Sequence, residues 1–261
     1  MNTEDTGFTL RLARDARDLR AAQRLRYQVF VQELGGTGPL VDHAQGLEQD
    51  EFDPHFDHLL LIDEAREAAG QDYVVGVYRL LPPERLAQSG RYYSEAEYDL
   101  SALKSSGRRL LELGRSCVHP DYRGGTAMLH LWNALAEYVL ERGIEVLFGV
   151  ASFHGTDAEA LAQPLAYLHY NHLAPEALRV RVRPGAAQRM DLIAPEAVDR
   201  RAAMLGTPAL IKGYLRLGGF VGEGAWIDHV FNTTDVCLVM DTAQMSAKHR
   251  EFYTRKSARD A

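Results

Sequence analysis

The chain has 261 residues, of which 46% are hydrophobic and 25% charged, and its formal net charge is −7. These proportions are ordinary for a soluble globular protein and allow one large domain, with or without an insertion. The negative charge, together with the lack of a basic helix interleaved with aromatic residues, argues against a nucleic-acid partner.

The cysteines and the hydropathy of the chain argue against a disulfide-rich, membrane-spanning or secreted protein. Cys117 and Cys237 offer neither a disulfide framework nor metal-ligand spacing, and both lie in apolar runs, as is typical of inert core thiols. No apolar run approaches the roughly 20 residues that span a bilayer, and the N-terminus does not have the pattern of a signal peptide. We therefore expect a cytoplasmic protein.

The first elements are a strand and a long helix. Residues 8–13 alternate in polarity, and residues 15–34 carry apolar side chains at helical spacing until two glycines end the pattern. Within this helix Arg26, Phe30 and Glu33 are placed on one face by their spacing. The residues alone favour an amphipathic helix with solvated charges.

An acidic loop follows at residues 37–56. Five carboxylates lie within ten residues: Glu48, Asp50, Glu51, Asp53 and Asp57. Such a cluster can be a solvated loop, a cation site or a pocket for a positively charged substrate. The calcium-loop pattern is absent, so metal binding is the weakest of the three interpretations.

Residues 58–63 and 72–81 predict two antiparallel strands. Arg79 stands inside the second apolar run, where an unpaired charge would be costly, so Glu112 or the acidic loop is its expected partner. Residues 82–104 read as a connection with a short helical piece.

The central segment, residues 108–142, predicts a buried strand over 110–118, a stop at His119-Pro120, a glycine-bearing loop over 121–125 and a helix over 126–142. Strand, loop and helix N-terminus in this order form an anion site, because free backbone N–H groups and the helix dipole point at the same place. The strand also carries Glu112 and Arg115, which face opposite sides unless a bulge intervenes.

The remaining chain continues the α/β pattern. We predict a strand over 145–153, a helix over 158–169, an insertion over about 173–200, a helix over 202–217 that Pro208 interrupts or starts, strands over 225–231 and 235–241, and a charged helix or tail over about 242–261. The insertion contains the alternating basic run 179–183, which is either edge protection or a dock for an acidic partner. The sum is a single domain, residues 1–261, with helices around a mixed sheet.

At this point the motifs resemble known families. The strand, VHPDYRGG and helix resemble the acyl-CoA loop of the GNAT acyltransferase superfamily, although Thr126 stands where that loop usually has a glycine. LRYQVFVQELG, DEFD, GVYRLL and ELGR resemble the set shared by the GNAT-like acyl-homoserine lactone synthases. From about residue 8 to 241 the chain resembles the L-ornithine N-alpha-acyltransferases.

The resemblance implies a GNAT-like fold and transfer of a 3-hydroxyacyl group from acyl carrier protein to the α-amine of L-ornithine. It implies no permanently bound cofactor and no metal; the phosphopantetheine of the carrier protein presents the donor. The expected partners are acyl carrier protein, ornithine and, transiently, the membrane surface. The implied site residues are Glu112 as the base with Arg115; Arg26, Phe30, Asp50, Asp53 and Arg79 for the acceptor; and Cys117, Val118, Arg123, Gly124, Gly125 and Thr126 for the donor's pantetheine.

Four other functions stay open at this stage. They are the same chemistry on another amino acid such as glutamine, an acyl-homoserine lactone synthase, an acetyl-coenzyme A transferase, and a non-enzymatic acyl-binding module. Glu112 argues against the last of these, because a binding module needs no base. The altered glycine loop argues against coenzyme A, and the length of the chain argues against the lactone synthase.

Overall fold

The structure is a computed structural model that describes residues 7–244. The predicted C-terminal helix or tail at about 242–261 falls mostly outside the described residues, and its first three residues form a 3₁₀ turn, Thr242–Gln244. No helix within the described part is long and apolar enough to cross a bilayer.

The elements alternate between strands and helices as the sequence predicts. In chain order they are β1 (Phe8–Leu12), α1 (Ala16–Arg26), β2 (Asp57–Asp63), α2 (Glu64–Ala68), β3 (Val74–Leu81), α3 (Leu86–Ser89), β4 (Tyr98–Asp99), α4 (Ser101–Ser105), β5 (Leu110–Val118), α5 (Ala127–Glu141), β6 (Val146–His154), α6 (Ala162–His172), β7 (Arg181–Val182), β8 (Ala187–Gln188), α7 (Arg200–Gly206), α8 (Ala209–Arg216), β9 (Phe220–Val221), β10 (Ala225–Asp228) and β11 (Thr233–Asp241).

The chain divides into two compact units. The first comprises Met1–Ser89 and Leu113–Arg142, and the second comprises Gly90–Glu112 and Gly143–Ala261. The division falls inside β5, whose first three residues belong to the second unit and whose remainder belongs to the first. Nothing in the structure tests the single-domain organisation, which stays a prediction.

The first unit is built on antiparallel strands covered by helices. β1 pairs with β2 and β2 with β3, and β5 is the next strand in the order. α5 packs over β3 at Gly76, where a Cβ would lie 2.8 Å from Leu131 Cδ1 and would require that side chain to shift. The apolar core of the first unit is formed by buried side chains from α1, β2, β3 and β5, among them Ala22, Leu25, Leu60, Val77 and Cys117.

The second unit combines parallel and antiparallel pairing. β5 pairs in parallel with β6 from Leu110 opposite Val146 to Glu112 opposite Phe148. β6 pairs antiparallel with β11 over nine residues, β11 pairs with β10 and β9, and β10 pairs with β8. The predicted α/β class with a mixed sheet flanked by helices is confirmed.

Several local features differ from the sequence expectation. The first predicted helix continues beyond Arg26 as a π-helix, Tyr27–Glu33, with Leu34 N–H donating to Val29 O five residues back. The helix predicted over 202–217 is two helices, interrupted at Pro208 as the sequence predicts, because proline has no N–H to continue the first one. The basic insertion contains two short strands that pair with β4 and β10 and not with each other.

Candidate active site

Three arginines and three carboxylates of the first unit form a closed ring in which charges alternate. We call it the ion-pair ring; its members, in order around the ring, are Arg26, Glu48, Arg115, Asp50, Arg79 and Asp53. Each guanidinium contacts two carboxylates and each carboxylate contacts two guanidinium groups. The ring as a whole is therefore neutral.

The contacts around the ring are short. Arg26 reaches Glu48 with Nε at 2.5 Å and Asp53 with a terminal nitrogen at 2.6 Å. One terminal nitrogen of Arg79 lies 2.6 Å from Asp50 Oδ1 and 2.9 Å from Asp53 Oδ1. Arg115 completes the ring at 3.2 Å from Glu48 and 3.3 Å from Asp50. The contacts of Arg26 and Arg79, at most 2.9 Å long, have the length of strong charge-assisted hydrogen bonds, whereas the contacts of Arg115 are longer.

Burial divides the ring into an inner and an outer part. The side chains of Arg26, Glu48, Arg79 and Asp53 are at most 3% exposed, whereas those of Arg115 and Asp50 are 12% and 18% exposed. Burial alone would raise the pKa of Glu48, but the charges of Arg26 and Arg115 outweigh it and lower that pKa to about 2. For Asp53, the charges of Arg26 and Arg79 likewise outweigh burial and lower its pKa.

Local backbone contacts bring the acidic loop to the helix. Glu48 N–H donates to Gln23 O at 3.1 Å, and the Gln23 side-chain amide donates to Asp53 at 2.9 Å. Asp50 Oδ1 also accepts the amide of Phe52 at 2.9 Å, which holds the loop in a turn. These contacts give three carboxylates of the loop fixed positions, although the loop contains no helix or strand.

Arg115 carries an unusual backbone conformation. Its φ is +48°, the left-handed region that side chains other than glycine rarely occupy, and it lies in the middle of β5. Strain of this kind persists only where surrounding contacts hold it, and at Arg115 these include the two carboxylates. The kink also breaks the simple alternation of side chains along the strand, the exception foreseen for a bulge.

The structure brings together four residues predicted for the acceptor, Arg26, Asp50, Asp53 and Arg79, with Arg115, which is predicted beside the base, and it adds Glu48. Glu48 is part of the acidic cluster in the sequence, but its spacing from Arg26 gives no signal that it would be an ion-pair partner. The acidic loop is the partner expected for Arg79. Phe30 is not in the ring; it lies in the π-helix and packs against the apolar core of the first unit.

The predicted donor residues lie at the end of β5 and the start of α5. Cys117 and Val118 are buried, and burial raises the pKa of the Cys117 thiol to about 12, which makes it an unreactive thiol at neutral pH. Gly124 has a φ of +77°, and Gly125 and Thr126 lead directly into α5, whose first-turn amides have no intrahelical partner.

Arg123 supports this donor loop by a paired contact. Its guanidinium donates to both oxygens of Glu33 at 2.6 and 2.7 Å, and its Nε donates to Val118 O at 3.0 Å. The Glu33 carboxylate, which the sequence places on the helix face of Arg26, thus fixes the arginine next to the loop. A phosphate at the loop would share Arg123 with Glu33.

Glu112 belongs to the second unit and is 1% exposed. Its two oxygens accept backbone N–H groups at 2.8 Å from Tyr93 and 2.7 Å from Ser94. Tyr92, beside them, stacks edge-on against Phe148, with ring centroids 5.0 Å apart. These contacts fix the position of the carboxylate.

The basic run 179–183 is partly neutralised by nearby carboxylates. Arg179 and Arg181 both pair with Glu176, and Arg181 also pairs with Glu223. Arg183 donates to Tyr98 O at 3.3 Å. Of the two interpretations that the sequence leaves open, this pairing favours edge protection over a docking patch.

Comparisons with known proteins give a consistent result. A family model described as an acetyltransferase (GNAT) domain matches residues 25–133. The chain is 67% identical over 249 residues to an L-ornithine N(alpha)-acyltransferase of Rhodobacter capsulatus, covering 95% of each chain. It is 39% identical over 252 residues to an L-ornithine N(alpha)-acyltransferase of Brucella abortus, covering 96% of this chain and 90% of the relative. Among solved structures, the CoA-dependent acyl-homoserine lactone synthase BjaI, with SAM and isopentyl-CoA, is similar, with a TM-score of 0.48, 15% identity, and coverage of 92% of this chain and 82% of that one.

The ion-pair ring predicts a large stability difference between two carboxylate variants. Glu48→Gln leaves Arg26 and Arg115 short of one anionic partner in a buried place, so we expect a loss of about 3 to 5 kcal/mol in the free energy of unfolding at pH 7. Glu33→Gln, which opens the exposed pair with Arg123, should cost about 1 kcal/mol or less. Urea unfolding of the two variants measures the contrast, and equal losses would contradict a dominant role for the ring.

His58 predicts a loss of stability on acidification. Burial, with the charge of Arg26 adding to it, lowers its pKa from 6.5 to about 4, so the folded protein keeps it neutral where the unfolded chain binds a proton. Stability should fall as the pH drops from 6.5 to 4, by about 1.4 kcal/mol per pH unit from this group. The depressed pKa of Glu48 adds a further loss between about 4.5 and 2. In His58→Asn, the free energy of unfolding should depend less steeply on pH above pH 4.5. An unchanged pH dependence, measured by urea unfolding at several pH values, would exclude His58 as the cause of the loss.

Proposed function

The chain belongs to the family of L-ornithine N(alpha)-acyltransferases, and from that membership we propose that it transfers an acyl group from a thioester donor to the α-amine of L-ornithine. The observation that carries this proposal is the 67% identity to a relative of that name across 95% of both chains. The predicted family and the predicted N-acyltransferase class are confirmed. The donor and the roles of single residues are proposals, argued below.

Amide formation needs a base, because the α-amine of an amino acid is mostly protonated at neutral pH and only the free amine attacks a thioester. We assign this role to Glu112. The amides of Tyr93 and Ser94 hold its carboxylate in one orientation, which is what a proton acceptor requires. Its buried position keeps competing water away from the carboxylate.

The thioester carbonyl gains negative charge as the amine attacks, so donors must point at its oxygen. Backbone N–H groups near Cys117 and Val118 are the proposed donors. The amides of Gly124, Gly125 and Thr126, at the N-terminus of α5, are proposed to hold the phosphate of the donor's pantetheine arm, with Arg123 beside them. Their conformation suits this role because Gly124 adopts a positive φ without strain.

The ion-pair ring limits which members contact a substrate. Arg26, Arg79 and Asp53 are buried and each is held by two partners, so we assign them to positioning the loop and β5. Asp50 and Arg115 are the more exposed members, and of these two Arg115 is the one proposed to touch the acceptor. Arg115 has the planar geometry that suits an amino-acid carboxylate.

We further propose that the donor is a 3-hydroxyacyl group on acyl carrier protein. Thr126 replaces the glycine usual in the superfamily's coenzyme A loop, and a thioester carried on a protein is held partly by contacts outside that loop. The product would be a lyso-ornithine lipid, released where it can enter a membrane surface.

Product identification tests the function directly. With 3-hydroxyacyl carrier protein and a panel of amino acids, mass spectrometry should show N-acylornithine as the main product, and the kcat/KM for the carrier-bound donor should exceed that for the matching coenzyme A thioester at least 10-fold. Acylglutamine would change the acceptor, a homoserine lactone would place the chain among the synthases, and equal use of coenzyme A would overturn the donor proposal.

Removal of the proposed base should abolish most turnover. We expect Glu112→Gln to lower kcat by about 10²- to 10⁴-fold, because the amide cannot accept the proton. Since one amide hydrogen would face a backbone N–H, circular dichroism and thermal unfolding should accompany the assay. Glu145→Gln removes an exposed carboxylate of the same unit and should keep wild-type rates. A folded Glu112→Gln enzyme with near-normal kcat would reject the assignment.

A further inference from the structure

A cluster of three carboxylates lies in the second unit, apart from the residues discussed so far. Glu97, Asp228 and Asp235 each offer a carboxylate oxygen, and these oxygens lie within 4.8 Å of one another. We call this group the acidic triad. Glu97 and Asp235 are buried and Asp228 is half-buried, so the triad is open on the side of Asp228.

Strand register explains how two of the three carboxylates meet. β10 and β11 pair antiparallel, with Asp228 opposite Thr233 and Trp226 opposite Asp235. Directly paired residues project to the same face, and so do residues two apart on one strand. Asp228, Thr233 and Asp235 therefore share one face of the sheet. Glu97 approaches from the segment just before β4, where its own carbonyl accepts Arg183 N–H at 2.7 Å.

Thr233 gives an independent sign of a ligand at this place. Its side chain is 6% exposed, and its hydroxyl oxygen has no hydrogen-bond partner among residues 7–244. A buried hydroxyl without a partner is costly, and native proteins rarely keep one without a reason. Because Thr233 lies directly opposite Asp228, its side chain projects from the face of the sheet that carries Asp228 and Asp235.

The donor set fits a small cation with N–H donors. An ammonium group forms charge-assisted hydrogen bonds of about 2.7 to 2.9 Å, and two acceptors on one tetrahedral nitrogen then lie about 4.6 Å apart. Because the oxygens of the triad lie within 4.8 Å of one another, one ammonium nitrogen can contact more than one of them. All available ligands are oxygens, and the hydroxyl of Thr233 adds a fourth acceptor beside the three carboxylates.

We propose that the acidic triad, with Thr233, binds the side-chain ammonium of the acceptor amino acid, and thereby selects ornithine. This inference rests on the function proposed above. The carboxylates of the ion-pair ring do not suit this task, since each of them already contacts two guanidinium groups.

The position of the triad within the second unit agrees with this role. Glu112 of β5 is paired with Phe148 of β6, and Phe148 is paired with Val239 of β11. Asp235 lies four residues before Val239 on the same strand. Because alternate residues share a face, Glu112 and Asp235 project from the same side of this sheet. Apart from burial, the charges of Glu112 and Glu97 are the main influences that raise the pKa of Cys237, which places both carboxylates near one thiol.

The test compares two acceptors that differ only in the ammonium group, L-ornithine and L-norvaline. Asp228→Asn removes one charge but keeps an oxygen for the amides of Val230 and Phe231, which Asp228 accepts at 2.7 and 3.1 Å. We expect the KM for ornithine to rise about 10- to 100-fold while the kcat/KM for norvaline stays unchanged. Thr233→Val should raise the KM for ornithine about 3- to 10-fold and should also leave the kcat/KM for norvaline unchanged. Asp191→Asn, which removes a surface carboxylate paired with Arg189, is the matched control.

The ratio of the kcat/KM values for ornithine and norvaline does not depend on folding yield, because both values are measured on the same folded enzyme. An unchanged ratio in Asp228→Asn, or an equal fall for both acceptors, would overturn the subsite. Calorimetric titration with Mg²⁺ or Ca²⁺ supplies the other arm: binding that Asp228→Asn abolishes would assign the triad to a metal ion and would also overturn it. Wild-type protein that acylates another amine, but neither ornithine nor norvaline, would overturn the proposed function and with it the subsite for the ornithine ammonium.

Discussion

Two arginines with no access to water set the main constraint on the first unit. Moving a guanidinium out of water costs several kcal/mol, and only near-ideal pairing offsets that cost. Arg26 and Arg79 meet this demand by sharing Asp53, and each has one further carboxylate. Arg115, bonded to those two further carboxylates, closes the ring. The neutral, alternating arrangement is thus the condition under which these charges can be buried at all.

The rest of the first unit follows from that condition. The loop 37–56 has almost no regular hydrogen-bonded structure, so its path is determined by where Glu48, Asp50 and Asp53 must lie. Helix α1 supplies Arg26 and Gln23 from its last turns, and β3 supplies Arg79 from within an otherwise apolar strand. The ring therefore joins helix, loop and two strands in one network, which gives the neighbouring loop 119–126 a rigid support on β5.

The sequence predicts the order of elements and the α/β class well, because apolar periodicity and the Gly and Pro stops are local signals. It also identifies five of the six ring residues, through the cost of a lone charge such as Arg79 and through resemblance. It does not identify Glu48, because nothing local distinguishes this carboxylate from its neighbours Glu51 and Asp57. The π-helix and the pairing of β7 with β4 depend on tertiary contacts that no window of sequence contains. The acidic triad is hidden for the same reason, since Glu97 lies far from Asp228 and Asp235 in the chain and meets them only in the folded protein.

The backbone of Arg115 limits how this position can change. A glycine would accept the positive φ without strain but would remove the charge that closes the ring. A lysine would keep the charge, but it would lose the planar fork that reaches Glu48 and Asp50 together, and it would retain the strain. Asparagine tolerates the left-handed region better than most residues but is too short and uncharged. Position 115 is therefore unsuitable for changing the acceptor preference by substitution. Such changes are better made at residues where one side chain can satisfy both the backbone conformation and the side-chain contacts.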